Sequence, residues 1–309
     1  MGDPVSPAGL SGKIAGRGGL SFSVKAMSSE READRARRAM NARTEIPVVG
    51  VVRFSVLALD YYTERFETVD KVAEHLFSPE RLALRFELFE KLCLPSLVQQ
   101  SDRDFRAVIL TSTELPPEAR ARLDALVAPH DHIEVFAAAP DLHYPITRAA
   151  YRSVPLGGAS HKLWFRLDDD DAVSRDYVER LKQIGLGLRA VHEDQPFMIA
   201  FNRGFYVEVT GQGENDIVDF VERAPLSVGT ALLAPATYDR TPYRYNHRAL
   251  GQHYNLYTDV AAPVFLRTIH SDNKSQPTKQ GVGQKLSPSM VERQIRERFG
   301  FDIDMLRAL

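Results

Sequence analysis

Four consecutive aspartates, Asp168 to Asp171, follow directly on the apolar run Lys162 to Leu167. Like charges this close repel one another, and the end of a strand gives no structural reason to gather them. A bound divalent cation would remove the repulsion. Mg²⁺ and Mn²⁺ take oxygen ligands, commonly one or two carboxylates together with the phosphates of a substrate. In extended chain, alternation places Asp168 and Asp170 on one side and Asp169 and Asp171 on the other. The competing reading is a solvated acidic turn whose last member, Asp171, caps the following helix.

Other residues could do chemistry beside such a run. Arg53 ends the first apolar strand, and its guanidinium suits a phosphate, a base face or a surface salt bridge. Arg148 and Arg152 stand one helical turn apart, facing either a donor pocket or solvent. His270 follows the apolar run Val264 to Ile269 and opens a polar stretch that holds Asn273 and Lys274, both able to reach a phosphate. Tyr238, Tyr243, Tyr245, His247, His253, Tyr254 and Tyr257 crowd one segment. Aromatic rings stack on sugar faces, so this segment is the expected acceptor side, with packing under a long loop as the alternative. Glu208, Glu214, Asp216, Asp219 and Glu222 are the candidate general bases of that half.

The elements that must position these residues alternate. Short apolar runs over 48–54, 105–110, 133–137 and 162–167 read as buried strands. Helices are expected from Ser78-Pro79-Glu80 to a stop or kink near Pro95, over 116–127, over 147–153, and from Ser174 to about His192. This order argues for a doubly wound α/β fold: a mostly parallel sheet with helices on both faces. The acidic run then falls at the carboxyl edge of the sheet, where such folds bind ligands. Strands over 197–201, 204–209, 228–233 and 264–269 are expected to continue the same sheet as a strand-richer C-terminal half, before a last helix over 287–299. Residues 1–45 read as a disordered or helical extension, and 46–309 as one domain. The 309 residues carry 39 basic and 41 acidic side chains, with no basic excess that would suggest nucleic acid. Cys93, the only cysteine, lies in an apolar stretch and reads as a buried thiol. With no secretory core and no apolar run of the roughly 20 residues a bilayer needs, the expected setting is cytoplasmic, with at most peripheral visits to a membrane.

The segment Arg166-Leu167-Asp168-Asp169-Asp170-Asp171-Ala172-Val173 resembles the aspartate signature of GT-A glycosyltransferases. Arg53-Phe54-Ser55, Arg85-Phe86-Glu87-Leu88-Phe89, Leu94-Pro95-Ser96-Leu97 with Gln100, Phe201-Asn202-Arg203-Gly204, and Ile269-His270-Ser271-Asp272-Asn273 together resemble a bacterial rhamnosyltransferase-like family, over about residues 47–275. The resemblance implies a GT-A-like, Rossmann-like fold and transfer of a sugar from a nucleotide-diphosphate donor to a glycan or other hydroxyl acceptor. It places Asp168 on the nucleotide ribose; Arg53, Asp169, Arg148 and Lys274 are the other residues expected at the donor. It places Mn²⁺ or Mg²⁺ on Asp170, with Asp171 as the alternate ligand and His270 opposite. Two other classes stay open: an aspartate-dependent phosphate-ester hydrolase, and a non-catalytic domain that binds a divalent cation or a sugar.

Overall fold

Val48 to Arg53 is a run of valines around one glycine, and burial of both its faces makes it the centre of a sheet. The computed structural model describes residues 46–192, 194–209, 214–273 and 281–309. The expected N-terminal extension and Lys274 lie outside them. Residues Ile46–Leu309 cluster as one compact unit.

After β1 (Val48–Arg53) come α1 (Val69–Leu76) and α2 (Pro79–Leu88), which passes through a π-helical segment (Phe89–Cys93) into α3 (Leu94–Val98). Then follow β2 (Arg106–Ser112), α4 (Pro117–Val127), β3 (Ile133–Ala138), α5 (His143–Arg152), β4 (His161–Asp168), β5 (Asp171–Val173) and α6 (Tyr177–Val191). The C-terminal half holds β6 (Phe197–Phe201), β7 (Arg203–Glu208), β8 (Asp216–Val221), β9 (Ala231–Pro235), a 3₁₀ segment (His247–Gln252), β10 (Asn255–Asp259), β11 (Phe265–Ile269), β12 (Val282–Gly283), α7 (Pro288–Phe299) and α8 (Ile303–Arg307).

The expected stop or kink near Pro95 takes a specific form. Proline has no N–H to return to the preceding turn, so the helix widens instead of ending. Leu94 N donates to Phe89 O, five residues back, and the helix runs on to Val98.

Seven strands form the main sheet in the order β10-β6-β9-β4-β1-β2-β3, parallel except for β9. Helices cover both faces. Val48, Val52 and Phe54 pack with Phe86, Phe89, Cys93, Leu123 and Leu181 on one side, while Val49 and Val51 pack with Ile146, Ala150 and Tyr151 on the other. The α/β architecture with a mostly parallel sheet is therefore as expected.

The C-terminal half departs from expectation. β6, β9 and β10 extend the main sheet, but β7 and β11 do not. They join a second, five-stranded sheet, β12-β8-β7-β11-β5. That sheet rests against α7 and α8 through Phe205, Val207, Leu266, Ile295, Phe299 and Leu306. The chain crosses between sheets at the acidic run: Asp168 ends β4 in the first, and Asp171 opens β5 in the second. Gln100 braces this corner. Its Nε2 donates to Ser174 O (2.8 Å), and its Oε1 accepts from Val178 N (2.9 Å).

Among the described residues no helix is long and apolar enough to cross a membrane. Gly50 lies under the Phe165 ring, where a Cβ would collide with the ring carbons. Elsewhere in a strand, alanine would improve on glycine. Here Gly50→Ala is expected to destabilise the protein by about 1–3 kcal/mol, read from urea unfolding. Unchanged or increased stability would contradict this packing.

Candidate active site

β1 and β4 lie side by side in parallel, with Arg53 paired in register to Asp168. The two side chains leave the sheet's carboxyl edge together. Arg53 Nε and Nη2 both donate to Asp168 Oδ1 (2.9 and 2.6 Å), while Nη1 donates to Tyr61 Oη (3.0 Å) and lies 3.1 Å from His143 Nε2. Burial alone would push the Asp168 carboxyl up, but Arg53 holds it below the usual carboxylate range.

Asp169 is fully buried and is gripped by Arg85, whose Nη2 reaches Oδ1 and whose Nε donates to Oδ2 (3.1 Å). The same guanidinium turns its other edge to Asp170: Nη1 donates to Oδ2 at 2.8 Å. Burial would raise Asp170, yet Arg85 and then His270 drive it far below the carboxylate range. Beside this pair Arg81 holds Asp272 (Nε to Oδ2, 2.9 Å) and donates to Ser55 Oγ (2.9 Å). Arg81 and Arg85 stand one helical turn apart on the buried face of α2.

β11 brings the last pieces. Thr268 Oγ1 donates to Asp170 O (2.8 Å). His270, just past the strand, sits with Nε2 at 2.9 Å from Asp170 Oδ2, and Asn273 Nδ2 donates to the same oxygen at 3.3 Å. Asp171 is different: no described residue donates a hydrogen bond to its side chain. Burial, and then the charge of Asp170, pushes its carboxyl well up.

The four aspartates, Asp272, Asn273 and the three arginines line a cavity of about 500 Å³ at the carboxyl edge of β1 and β4, and His270 stands behind Asp170. Tyr61, Tyr62, His143, Tyr243, Tyr245 and His247 supply aromatic walls, and the Tyr61 and His143 rings are stacked at 4.8 Å. Ser55 and Tyr62 line it with φ of 49° and 67°, left-handed backbone that costs about 1–2 kcal/mol per residue. Such strain gathers at sites that bind.

Of the expected site residues, Arg53, Asp168, Asp169, Asp170, Asp171 and His270 come together here. Arg148 does not line the cavity: with Arg152 it clamps Asp239. Of the aromatic segment, Tyr243, Tyr245 and His247 face the cavity, while Tyr238 and Tyr254 pack around Leu250 and Met198. None of the five candidate bases lines it. Asp219 is held by Arg203 (2.8 Å), and Glu222 accepts from Tyr206 Oη (2.6 Å). Sequence reasoning gave no role to Arg81, Arg85, Arg166, Arg267 and Asp272, though Arg85, Arg166 and Asp272 lie in the segments that carry the resemblance. Two arginines on the apolar stripe of Leu82, Phe86 and Phe89 were a usable signal, because charges on a buried helix face need buried partners.

The expectation of Mn²⁺ or Mg²⁺ on Asp170, Asp171 and His270 meets three observations. Asp170 Oδ2 already receives Arg85, His270 and Asn273. His270 Nδ1 accepts from Asp272 N (3.2 Å), so the ring proton belongs on Nε2, the nitrogen that faces Asp170. A ligand histidine needs the opposite tautomer, with Nδ1 donating. Finally, among the described residues no three His, Cys, Asp or Glu side chains stand close enough to hold a metal ion. As arranged, these residues do not fit a divalent cation.

A family model described as "Putative rhamnosyl transferase" matches residues 47–282. Among curated proteins no sequence matches. Solved structures with a similar backbone include Staphylococcus aureus TarS 1–349 in complex with UDP, at 10% identity and TM-score 0.34 over 72% of this chain and 61% of that one. TarS 1–349 alone gives 12% identity and TM-score 0.38, over 72% and 60%. A glucose-1-phosphate thymidylyltransferase of Bacillus anthracis, described as putative and in complex with a sucrose, gives 10% and 0.32, over 71% and 88%. The chain thus spans about three fifths of the TarS 1–349 chains.

Asp171 supplies a test of the site's electrostatics. A carboxyl raised in the folded state contributes stability that is full below its unfolded value near 4, and lost as pH rises through the folded value. Asp171→Asn removes that loss. Its melting temperature relative to the unsubstituted protein is expected to rise between pH 4.5 and pH 8 (values of about half a unit above and four above that reference). A difference that falls with pH would contradict the assignment.

Proposed function

The chain belongs to the putative rhamnosyl transferase family, a family of glycosyltransferases, and from that premise we propose that its cavity takes a nucleotide-diphosphate sugar and passes the sugar to a hydroxyl acceptor. The observation that carries the reading is the Arg53–Asp168 pair at matched ends of β1 and β4, on the wall of a cavity with room for such a donor.

In this proposal Asp168 accepts from the ribose hydroxyls and is kept ionised for that role by Arg53. The stacked Tyr61 and His143 rings offer a face to the base. Tyr245 and His247, across the cavity, meet the acceptor, a glycan or another hydroxyl compound. The bond between the anomeric carbon and the diphosphate oxygen breaks, and its electron pair leaves with the nucleoside diphosphate. The acceptor oxygen forms the new bond and gives up its proton. Positive groups aimed at the leaving diphosphate stabilise the charge that develops on it. Rhamnose as the transferred sugar rests on the family's description alone. A polysaccharide product and a cytoplasmic setting belong to the same proposal.

Incubation with a panel of nucleotide-diphosphate sugars, following release of nucleoside diphosphate, tests this. At least one donor is expected to be turned over, and Asp168→Ala to lower turnover by roughly 10²-fold or more through lost donor positioning. Unchanged turnover in the variant would contradict the role given to Asp168, and release of inorganic phosphate from phosphomonoesters instead would favour the hydrolase class.

A further inference from the structure

Six guanidinium groups line the cavity: those of Arg53, Arg81, Arg85, Arg166, Arg244 and Arg267. The first three are spent on Asp168, Asp272, and the Asp169–Asp170 pair. The other three make no ion pair among the described residues. Arg166 is 7% exposed, its Nε has no hydrogen-bond partner, and its guanidinium lies 4.3 Å from the centre of the Tyr243 ring. Arg267 leaves β11 opposite Asp171 in register. A buried arginine donor without an acceptor is costly, and the residue that carries it lines the cavity.

The His247 ring records the same field. Burial first, and then Arg166 and Arg267, hold its imidazole down to about 3, so it stands neutral among cations. Of the acids, Asp168, Asp169, Asp170 and Asp272 already have arginines, Asp171 faces Arg267 in register without an ion pair, and Glu64 lines the cavity from an exposed position.

We infer that Arg166 and Arg267, with Arg244 at the mouth, hold the diphosphate of the donor directly, so that guanidinium charge does the work a divalent cation does in sites built on paired aspartates. The inference rests on the sugar-transfer reading and adds how the diphosphate is recognised. Guanidinium forks match phosphate oxygens two at a time, and their charge does not titrate away. Arg85 completes the arrangement from behind. By neutralising Asp169 and Asp170 it removes the repulsion those carboxylates would otherwise exert on an incoming anion.

Thermal shift and calorimetry with UDP, GDP, dTDP and the matching monophosphates, each in EDTA and each in Mn²⁺, test this on the full chain. At least one diphosphate is expected to stabilise the protein in EDTA about as well as in Mn²⁺, and better than its monophosphate. Arg267→Met, at a partly exposed position, is expected to weaken that diphosphate at least tenfold in EDTA. Arg166→Met is expected to do the same, with its melting temperature checked first in the absence of nucleotide. Stabilisation that appears only with Mn²⁺ overturns the inference and leaves the transferase reading standing. So does undiminished binding by Arg267→Met. A protein that responds to no diphosphate in either condition overturns both.

Discussion

Five carboxylates can share the buried wall of one cavity only if cations are buried with them. Asp168, Asp169, Asp170, Asp171 and Asp272 meet this condition unequally. Arg53, Arg85 and Arg81 come from β1 and from one face of α2, and each is placed by an element that has its own apolar reason to be there. α2 buries Leu82 and Phe86 against the sheet, and that contact drives Arg81 and Arg85 inward towards the acids. Removing one partner from such a buried pair strands a charge, which costs about 3–5 kcal/mol, so the acidic run and the α2 arginines stand or fall together.

The run also sits at the seam of the two sheets. β4 delivers Asp168 to the edge of the first, and β5 carries Asp171 into the second, where β11 pairs with it. That pairing brings Arg267, Thr268 and His270 to the aspartates across almost 100 residues of sequence. Any shift of β11 against β5 would therefore change the charge balance of the cavity as well as the packing of the second sheet. The left-handed Ser55 and Tyr62 lie in the chain leaving β1 and line the same cavity, where Ser55 accepts from Arg81.

Much of this could be read in advance. The apolar runs of β1 to β4 are strongly patterned, and a parallel sheet buried on both faces follows from them. The acidic run, Arg53 and His270 were visible because each ends a readable strand. The second sheet was not legible: β5 is three residues long and β12 two, too short to carry a period, while β7 and β11 were read as strands with no sign of which sheet they would join. Nor could spacing show that Arg85 would meet Asp169 and Asp170 more than 80 residues away. Repulsion within the run was read as a need for a bound divalent cation. That the Arg85 guanidinium meets Asp169 and Asp170 depends on tertiary packing that no local pattern carries. Arg148 illustrates the converse, since a helix placed correctly still turned that side chain to Asp239 instead of the cavity.

A double-mutant cycle on Arg85 and Asp169 reads the central compensation directly. Arg85→Met, Asp169→Ala and the combined variant would be compared by urea unfolding near neutral pH. Mutual neutralisation predicts that the double variant is more stable than the sum of the two single losses implies, with a coupling of about 2–3 kcal/mol. Losses that simply add, with a coupling below about 0.5 kcal/mol, would show that the buried acids are balanced by something other than this arginine.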